Sequence, residues 1–169
     1  FAAAHAAKKR VIATTGFGLS GTPHMGTLAQ MLRAVRLQHA GMPVQIVLGD
    51  LDAHNGKNIP LEKTRELAAV YRRFMLRLGF RDNAPSVLRN QYDSLSTLRR
   101  AYLIGNVMDE QMFALAEEDL HGFYAAQGKV DHEMSYRRQL SLNLMIADFA
   151  ELLMDHGFDA VLVFLGLAE

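Results

Sequence analysis

Hydrophobic residues along the chain occur in two alternating patterns. Short, nearly continuous apolar runs at 11–15 and 44–50 predict buried β-strands. Each run is followed by a longer stretch, at 26–39 and 61–78, whose apolar residues recur at helical spacing. Strands and helices that alternate in this way are joined by crossover connections, and they indicate a parallel sheet covered by helices.

The second half of the chain is predicted to continue this alternation. Its elements are a short strand at 87–88, a mostly helical middle over 93–127 that breaks near 105–106, a helix over 139–156 and a strand over 159–164. The predicted fold class is therefore α/β, a Rossmann-like doubly wound parallel sheet with a helical insertion at about 93–130 between its halves. One such domain is expected over 8–169, after a frayed tail at 1–7.

Composition narrows the classes of protein to which this fold could belong. The 169 residues suffice for one domain with a substantial core, and 50% of them are hydrophobic. The 18 basic and 18 acidic residues balance, so no broad basic surface for nucleic acid is predicted. The chain contains no cysteine, which excludes disulfides and thiolate chemistry and favours a cytoplasmic location. No apolar run approaches the roughly 18 residues of a membrane span, so no membrane contact is expected.

The ligand site of such a fold lies where its strands end. In doubly wound sheets, a crevice at the carboxyl ends of the strands gathers the loops that follow them. Here the crevice would collect the glycine-rich segment 16–27, the acidic segment 50–54 and the end of the last strand near Gly166. Segment 16–27 joins a strand to a helix, where glycines, free N–H groups and the helix dipole favour an anion. It matches neither the P-loop nor the dinucleotide fingerprint.

Three segments carry a resemblance to a known family. Residues 20–27, Ser-Gly-Thr-Pro-His-Met-Gly-Thr, resemble the class I aminoacyl-tRNA synthetase signature, a Pro-Thr/Ser-Gly turn followed two residues later by His-Ile-Gly-His. The whole of 16–27 aligns without a gap to the tryptophanyl form of that loop. Residues 141–148 are similar to the pocket-lining helix of the tryptophanyl/tyrosyl branch, and 159–166 are similar to the strand before its Gly-x-Asp-Gln turn. By this resemblance the chain is identified as a member of that branch.

The resemblance implies a site in which ATP and an amino acid are joined as an aminoacyl adenylate. The residues implied to act in catalysis are His24 and Thr27. Those implied to bind ATP are Gly16, Phe17, Gly18, Ser20, His24, Gly26 and Thr27. Those implied to bind the amino acid are Asp50, Ser141, Met145, Asp148, Gly166 and Glu169. The cofactor is ATP with Mg²⁺ carried by the nucleotide, and no metal site is predicted in the protein because its histidines lack paired ligand spacing.

Some of these residues also have structural interpretations that the sequence leaves open. His24 would also serve as a cap of the following helix, and Asp148 would also pair with an arginine or a backbone N–H without any ligand. Met145 is either a wall of the pocket or part of the core. If the functional interpretation holds, His24 and Asp148 open onto one crevice.

The implied partners are ATP, an amino acid and, in a longer protein, tRNA. The tryptophanyl/tyrosyl branch forms dimers through its helical insertion, so a homodimer is a further expectation. The apolar face that would form it, or would instead belong to the core, consists of Met108, Met112, Phe113 and Leu115.

The chain also departs from the family pattern. Leu19 replaces the proline of the turn, Thr27 replaces the second histidine, and Ser141 replaces the tyrosine that contacts the amino acid. Residues 166–169 replace the Gly-x-Asp-Gln turn. No segment resembles Lys-Met-Ser-Lys-Ser, so we expect a piece of a longer protein, cut before that lysine loop and not a competent synthetase by itself.

Three other functions remain open at this level. One is a synthetase-like paralogue that has lost adenylation and keeps the pocket for binding or regulation. Another is a small adenylyltransferase of the His-x-Gly-His type, although its proline and histidine are spaced differently from Pro23 and His24. The third is a phosphotransferase that uses the Asp-x-Asp of 50–54 with Mg²⁺. The following residues, 54–58, are predicted to form a turn, from which Lys57 would reach phosphate.

Overall fold

The structure, a computed structural model, describes residues 3–4, 7–113 and 136–164. Its centre is a parallel sheet whose strands, in chain order, are β1 (Val11–Gly18), β2 (Val44–Gly49), β3 (Val87–Asn90) and β4 (Ala160–Val163). Their spatial order is β3-β2-β1-β4. The chain thus builds outward from β1 in one direction and then crosses to its other side. This reversal is the doubly wound arrangement, and it confirms the predicted α/β fold class.

Five helices with at least eight residues in the described part of the chain surround the sheet. They are α1 (Met25–His39), α2 (Asp50–Lys57), α3 (Leu61–Arg77), α4 (Leu95–Ile104) and α5 (Tyr136–Met154). None of the described helices is long and apolar enough to cross a bilayer. Of the predicted helical insertion, residues 114–135 lie outside the described residues, so its full extent stays a prediction.

The turn predicted at 54–58 is wrong, because these residues form the end of helix α2. The helix has Asp50 and Asp52 in its first turn and Lys57 in its last, an arrangement that complements the helix dipole. It ends at Asn58, whose φ of 54° is left-handed. Asparagine tolerates that conformation better than most residues, so it terminates the helix much as glycine would.

The two faces of the sheet differ in character. One face packs against α1 and α3 and forms the main core, with Ile46, Leu48 and Met75 almost fully buried. The other face lies under α5 and carries polar side chains from three adjacent strands: Thr14 and Gln45, which are buried, and Arg89, whose side chain is 15% exposed. A smaller apolar cluster around Ile12 continues that second face. Buried polar groups need partners, so this second face demands a hydrogen-bonded network.

Candidate functional site

The glycine-rich turn runs from the end of β1 to the start of α1. It is anchored from below by Leu19, which is completely buried, and by the Tyr71 hydroxyl, which donates to the Gly21 carbonyl at 3.1 Å. Burial raises the pKa of Tyr71, and a hydrogen bond with the Thr27 side chain opposes that rise. Tyr71 also packs its ring against Phe17. These contacts hold the turn in place while Gly18 and Ser20 remain exposed.

His24 is the N-cap of α1. Its Nδ1 accepts a hydrogen bond from the Thr27 N–H at 3.4 Å, and its ring is exposed. The ring lies over Gly26, where a Cβ atom would come within 3.2 Å of His24 Cε1. Because Nδ1 accepts, the proton of the neutral ring is on Nε2, which is therefore a donor. The cap and a role toward an anion are thus compatible, since they use different ring nitrogens.

Asp50 is fully buried and joins the ends of β2 and β3. Its carboxylate accepts from the N–H groups of Gln91 and Tyr92, each at 3.0 Å, and from Asn90 Nδ2 at 2.9 Å. It also accepts from the N–H of Leu51. These donors contact both oxygens of the carboxylate, and the expectation that Asp50 lines the crevice stays a prediction. We leave Asp50 out of the ligand contacts proposed below.

Two other charged residues of α2 face the neighbouring elements. Burial raises the pKa of Asp52, while the charge of Lys57 and the proximity of the Ser141 hydroxyl oppose the rise. The Asp52 N–H donates to Gln91 Oε1 at 3.0 Å. Lys57 extends toward β1, since a Cβ atom on Gly18 would lie 3.2 Å from its Nζ. Helix α2 therefore connects the glycine-rich turn with the start of α5.

Asp148 lies on the buried face of α5 and has the arginine partner that the sequence left as one alternative. Its Oδ1 accepts from Arg89 at 2.7 Å and its Oδ2 from Gln91 Nε2 at 3.0 Å. Burial raises the pKa of Asp148; Arg89 and Gln91 oppose this, and nearby Glu151 adds to it. The prediction that Asp148 and His24 open onto one crevice stays a prediction.

A comparison with family models matches residues 6–152 to tRNA synthetases class I (W and Y). The chain belongs to this family. Among curated synthetases, it is 37% identical over 70 residues to a tryptophan–tRNA ligase of Archaeoglobus fulgidus, a match over 41% of this chain and 17% of that protein. It is 38% identical over 76 residues to a tyrosine–tRNA ligase of Methanopyrus kandleri, over 45% of this chain and 24% of that protein.

Solved synthetases share the fold. The tryptophanyl-tRNA synthetase of Aeropyrum pernix superposes with a TM-score of 0.71 at 22% identity, covering 95% of this chain and 41% of that one. The tyrosyl-tRNA synthetase of Archaeoglobus fulgidus, complexed with L-tyrosine, gives a TM-score of 0.69 at 17% identity, covering 92% and 46%. The chain spans less than half the length of these relatives, and the matched part of the curated ones is about a fifth.

Within this synthetase fold, the predicted site residues separate into three groups. Gly16 and Gly18 lie in the last part of β1, His24 is the N-cap of α1 and Thr27 is in its first turn, and their roles stay predictions. Ser141 and Asp148 are buried on α5, whereas Met145 is 46% exposed. Gly166 and Glu169 lie outside the described residues, so their roles stay predictions.

Sequence reasoning missed the polar network under α5. Arg89 donates through Nε to Gln45 Oε1 at 3.3 Å and lies 3.6 Å from the Glu151 carboxylate. Thr97 donates to the same Glu151, and Gln45 donates to the Asp148 carbonyl at 3.2 Å. One signal was available: a glutamine inside the apolar run of β2 needs a buried polar partner.

Proposed function

We propose that this chain holds the ATP and amino-acid sites of a class I synthetase of the tryptophanyl/tyrosyl type. In the full-length protein these sites would form an aminoacyl adenylate. The observation that carries the proposal is the junction of β1 and α1, where the exposed turn, the helix N-terminus and the His24 ring meet. Such a junction is suited to phosphate, because N–H groups and the helix dipole both favour negative charge there.

In the proposed reaction, an oxygen of the amino acid's carboxylate forms a bond to the α-phosphorus of ATP. The bond from that phosphorus to the bridging oxygen breaks, and pyrophosphate leaves with the electron pair. His24 Nε2–H and the backbone around Gly26 would stabilise the charge that develops on the phosphate oxygens. Mg²⁺ would arrive with the nucleotide and share that charge. Thr27, buried in the first turn of α1, would position the His24 ring through its N–H.

The wider context is part of the proposal. The longer protein would supply the lysine loop and the tRNA contacts, and it would work in the cytoplasm. The exposed side chains Val107 and Met112 follow α4 and lie within the predicted insertion at about 93–130, through which a homodimer is proposed.

The test is amino-acid-dependent exchange of pyrophosphate into ATP by the full-length protein, measured with each of the twenty amino acids. Exchange with one amino acid, or with one closely related pair, supports the proposal. Exchange with none of them refutes the enzymatic function.

One observation favours a second candidate, a paralogue that binds its ligands without adenylation. Both oxygens of the Asp148 carboxylate accept hydrogen bonds, one from Arg89 and one from Gln91, and Ser141 replaces the tyrosine of the family. A pocket in which Asp148 is bonded to other side chains and the tyrosine is absent would bind without reacting. Measurable binding of ATP and of an amino acid, combined with no exchange, is the result that selects this candidate.

A further inference from the structure

Helix α2 carries an acid and a base that lie close to each other. Asp52 is in its first turn and Lys57 is in its last. Their charges are close enough for Lys57 to oppose the rise in the pKa of Asp52. An α-amino acid carries the same two charges at neutral pH, an ammonium and a carboxylate bonded to the same α-carbon.

Glycines form much of the wall around these two side chains. A Cβ atom on Gly56 would lie 3.7 Å from both Asp52 Oδ1 and Ser141 Oγ, and one on Gly49 would lie 3.4 Å from Asp52 Cβ. On the β1 side of α2, a Cβ atom on Gly18 would lie 3.2 Å from Lys57 Nζ. Polar side-chain atoms therefore approach bare backbone at Gly18 and Gly56, and a larger residue at either position would crowd them.

The Ser141 hydroxyl gives an independent sign that something binds there. Ser141 is only 7% exposed, yet its Oγ makes no hydrogen bond of normal geometry within the described residues. An unsatisfied buried hydroxyl costs roughly 1–3 kcal/mol, and native proteins keep few such groups. The hydroxyl lies beside the Asp52 carboxylate, so a donor that enters between Asp52 and Ser141 would satisfy both.

The other two carboxylates at this edge of the sheet are already occupied. Asp50 accepts from the backbone at the end of β3, and Asp148 is paired with Arg89 and Gln91. Among the described residues, the charge of Lys57 and the hydroxyl of Ser141 are the groups that lower the pKa of the Asp52 carboxyl. Asp52 is thus the acid with capacity left for a ligand cation.

We propose that Asp52 and Lys57 bind the two charges of the amino-acid substrate. Asp52, with Ser141, accepts the α-ammonium group, and Lys57 binds the α-carboxylate. Lys57 lies beside Gly18, so it presents the carboxylate to the turn at which the α-phosphate of ATP is proposed to bind. This assignment rests on the proposed function, since it presumes an amino acid as the ligand.

Binding to the full-length protein, measured by calorimetry, tests the assignment separately from activity. Each of the twenty amino acids is titrated first. For the one that binds, the probes are then the amino acid, its decarboxylated amine and its desamino acid. Asp52→Asn should lower the affinity for the amino acid and for the amine about 10- to 100-fold, the usual value of a hydrogen bond to a charged group. The affinity for the desamino acid should not change. Lys57→Met should lower the affinity for the amino acid and for the desamino acid and leave the affinity for the amine unchanged.

Matched controls come from the exposed side chains at the start of α3. Glu62→Gln and Lys63→Met each remove one charge of the same sign at a position away from Asp52 and Lys57. All three probes should bind these two variants with the wild-type affinity. Lys57→Arg should recover most of the affinity that Lys57→Met loses. Each variant is first shown to unfold cooperatively.

The outcomes separate this assignment from the proposed function. Equal losses for all three probes, or no loss for any of them, would overturn the assignment and leave adenylation standing if exchange is observed. The expected pattern without exchange would uphold the assignment and refute adenylation. A wild-type protein that binds no amino acid would overturn both.

Discussion

Replacing Arg89 with methionine removes the one cation that lies among the buried carboxylates described under α5. The Arg89 and Asp148 side chains are 15% and 5% exposed and 2.7 Å apart, and Glu151 lies 3.6 Å from the same guanidinium. Breaking a buried ion pair from one side leaves an uncompensated charge, at a cost of about 3–5 kcal/mol. A domain is stable by only about 5–15 kcal/mol, so the loss would be a large share of the total.

Urea denaturation at pH 7 and pH 5 measures this loss. With a typical slope of about 2 kcal/mol per molar urea, the midpoint of Arg89→Met should fall by about 1.5–2.5 M at pH 7. The fall should be smaller at pH 5, because the pKa of Asp148 is already raised by burial and rises further without Arg89. The protonated carboxyl then needs no counter-charge.

The control and a second variant make the reasoning refutable. Arg99→Met removes an exposed arginine on α4 and should cost less than about 0.5 kcal/mol. Adding Asp148→Asn to Arg89→Met should recover part of the loss, since the pair is coupled. An Arg89→Met protein as stable as Arg99→Met, or one equally destabilised at both pH values, would contradict the network described here.

Three shorter predictions concern the turn and helix α2. Gly26→Ala should push the His24 ring away and weaken ATP binding about 10-fold in a calorimetric titration, whereas Gly21→Ala, whose Cβ would meet nothing within 4 Å, should not. Asp52→Asn should raise the midpoint of urea unfolding at pH 7, because its raised pKa means that ionised Asp52 destabilises the fold. This gain should shrink as the pH falls through the folded pKa and disappear below the unfolded pKa, and a loss of stability at pH 7 would contradict it. Asn58→Ala should lower the melting temperature by an amount equivalent to about 1 kcal/mol, because alanine resists a φ of 54°; an unchanged melting temperature would contradict that cap.

The sequence was sufficient for the parts of the fold that follow from local pattern. The apolar runs of β1 and β2 are buried on both faces of a parallel sheet, so their composition alone identified them. The turn before His24 was recognisable because its glycines and its histidine occur at fixed spacing along the chain. These features require no knowledge of which distant residues meet.

The remainder depended on tertiary contacts. The His-Asn-Gly-Lys-Asn composition of 54–58 favours a turn, yet packing of α2 against α5 and α3 keeps those residues helical as far as Lys57. The pairing of Arg89 with Asp148 joins residues 59 positions apart, and no local pattern announces it. The same limit concealed Asp52, whose importance depends on Ser141 and on the glycines around it.

The central claim is that ATP and an amino acid meet in one crevice beside the β1–α1 turn. Binding of aminoacyl-sulfamoyl adenosine compounds, which join both ligands in one molecule, tests this claim most directly. For the correct amino acid, the joined compound should bind the full-length protein at least about 100-fold more tightly than either adenosine or the amino acid alone, as intermediate analogues do. His24→Ala and Asp52→Asn should each reduce that gain. A joined compound that binds no better than its separate halves would contradict the shared site.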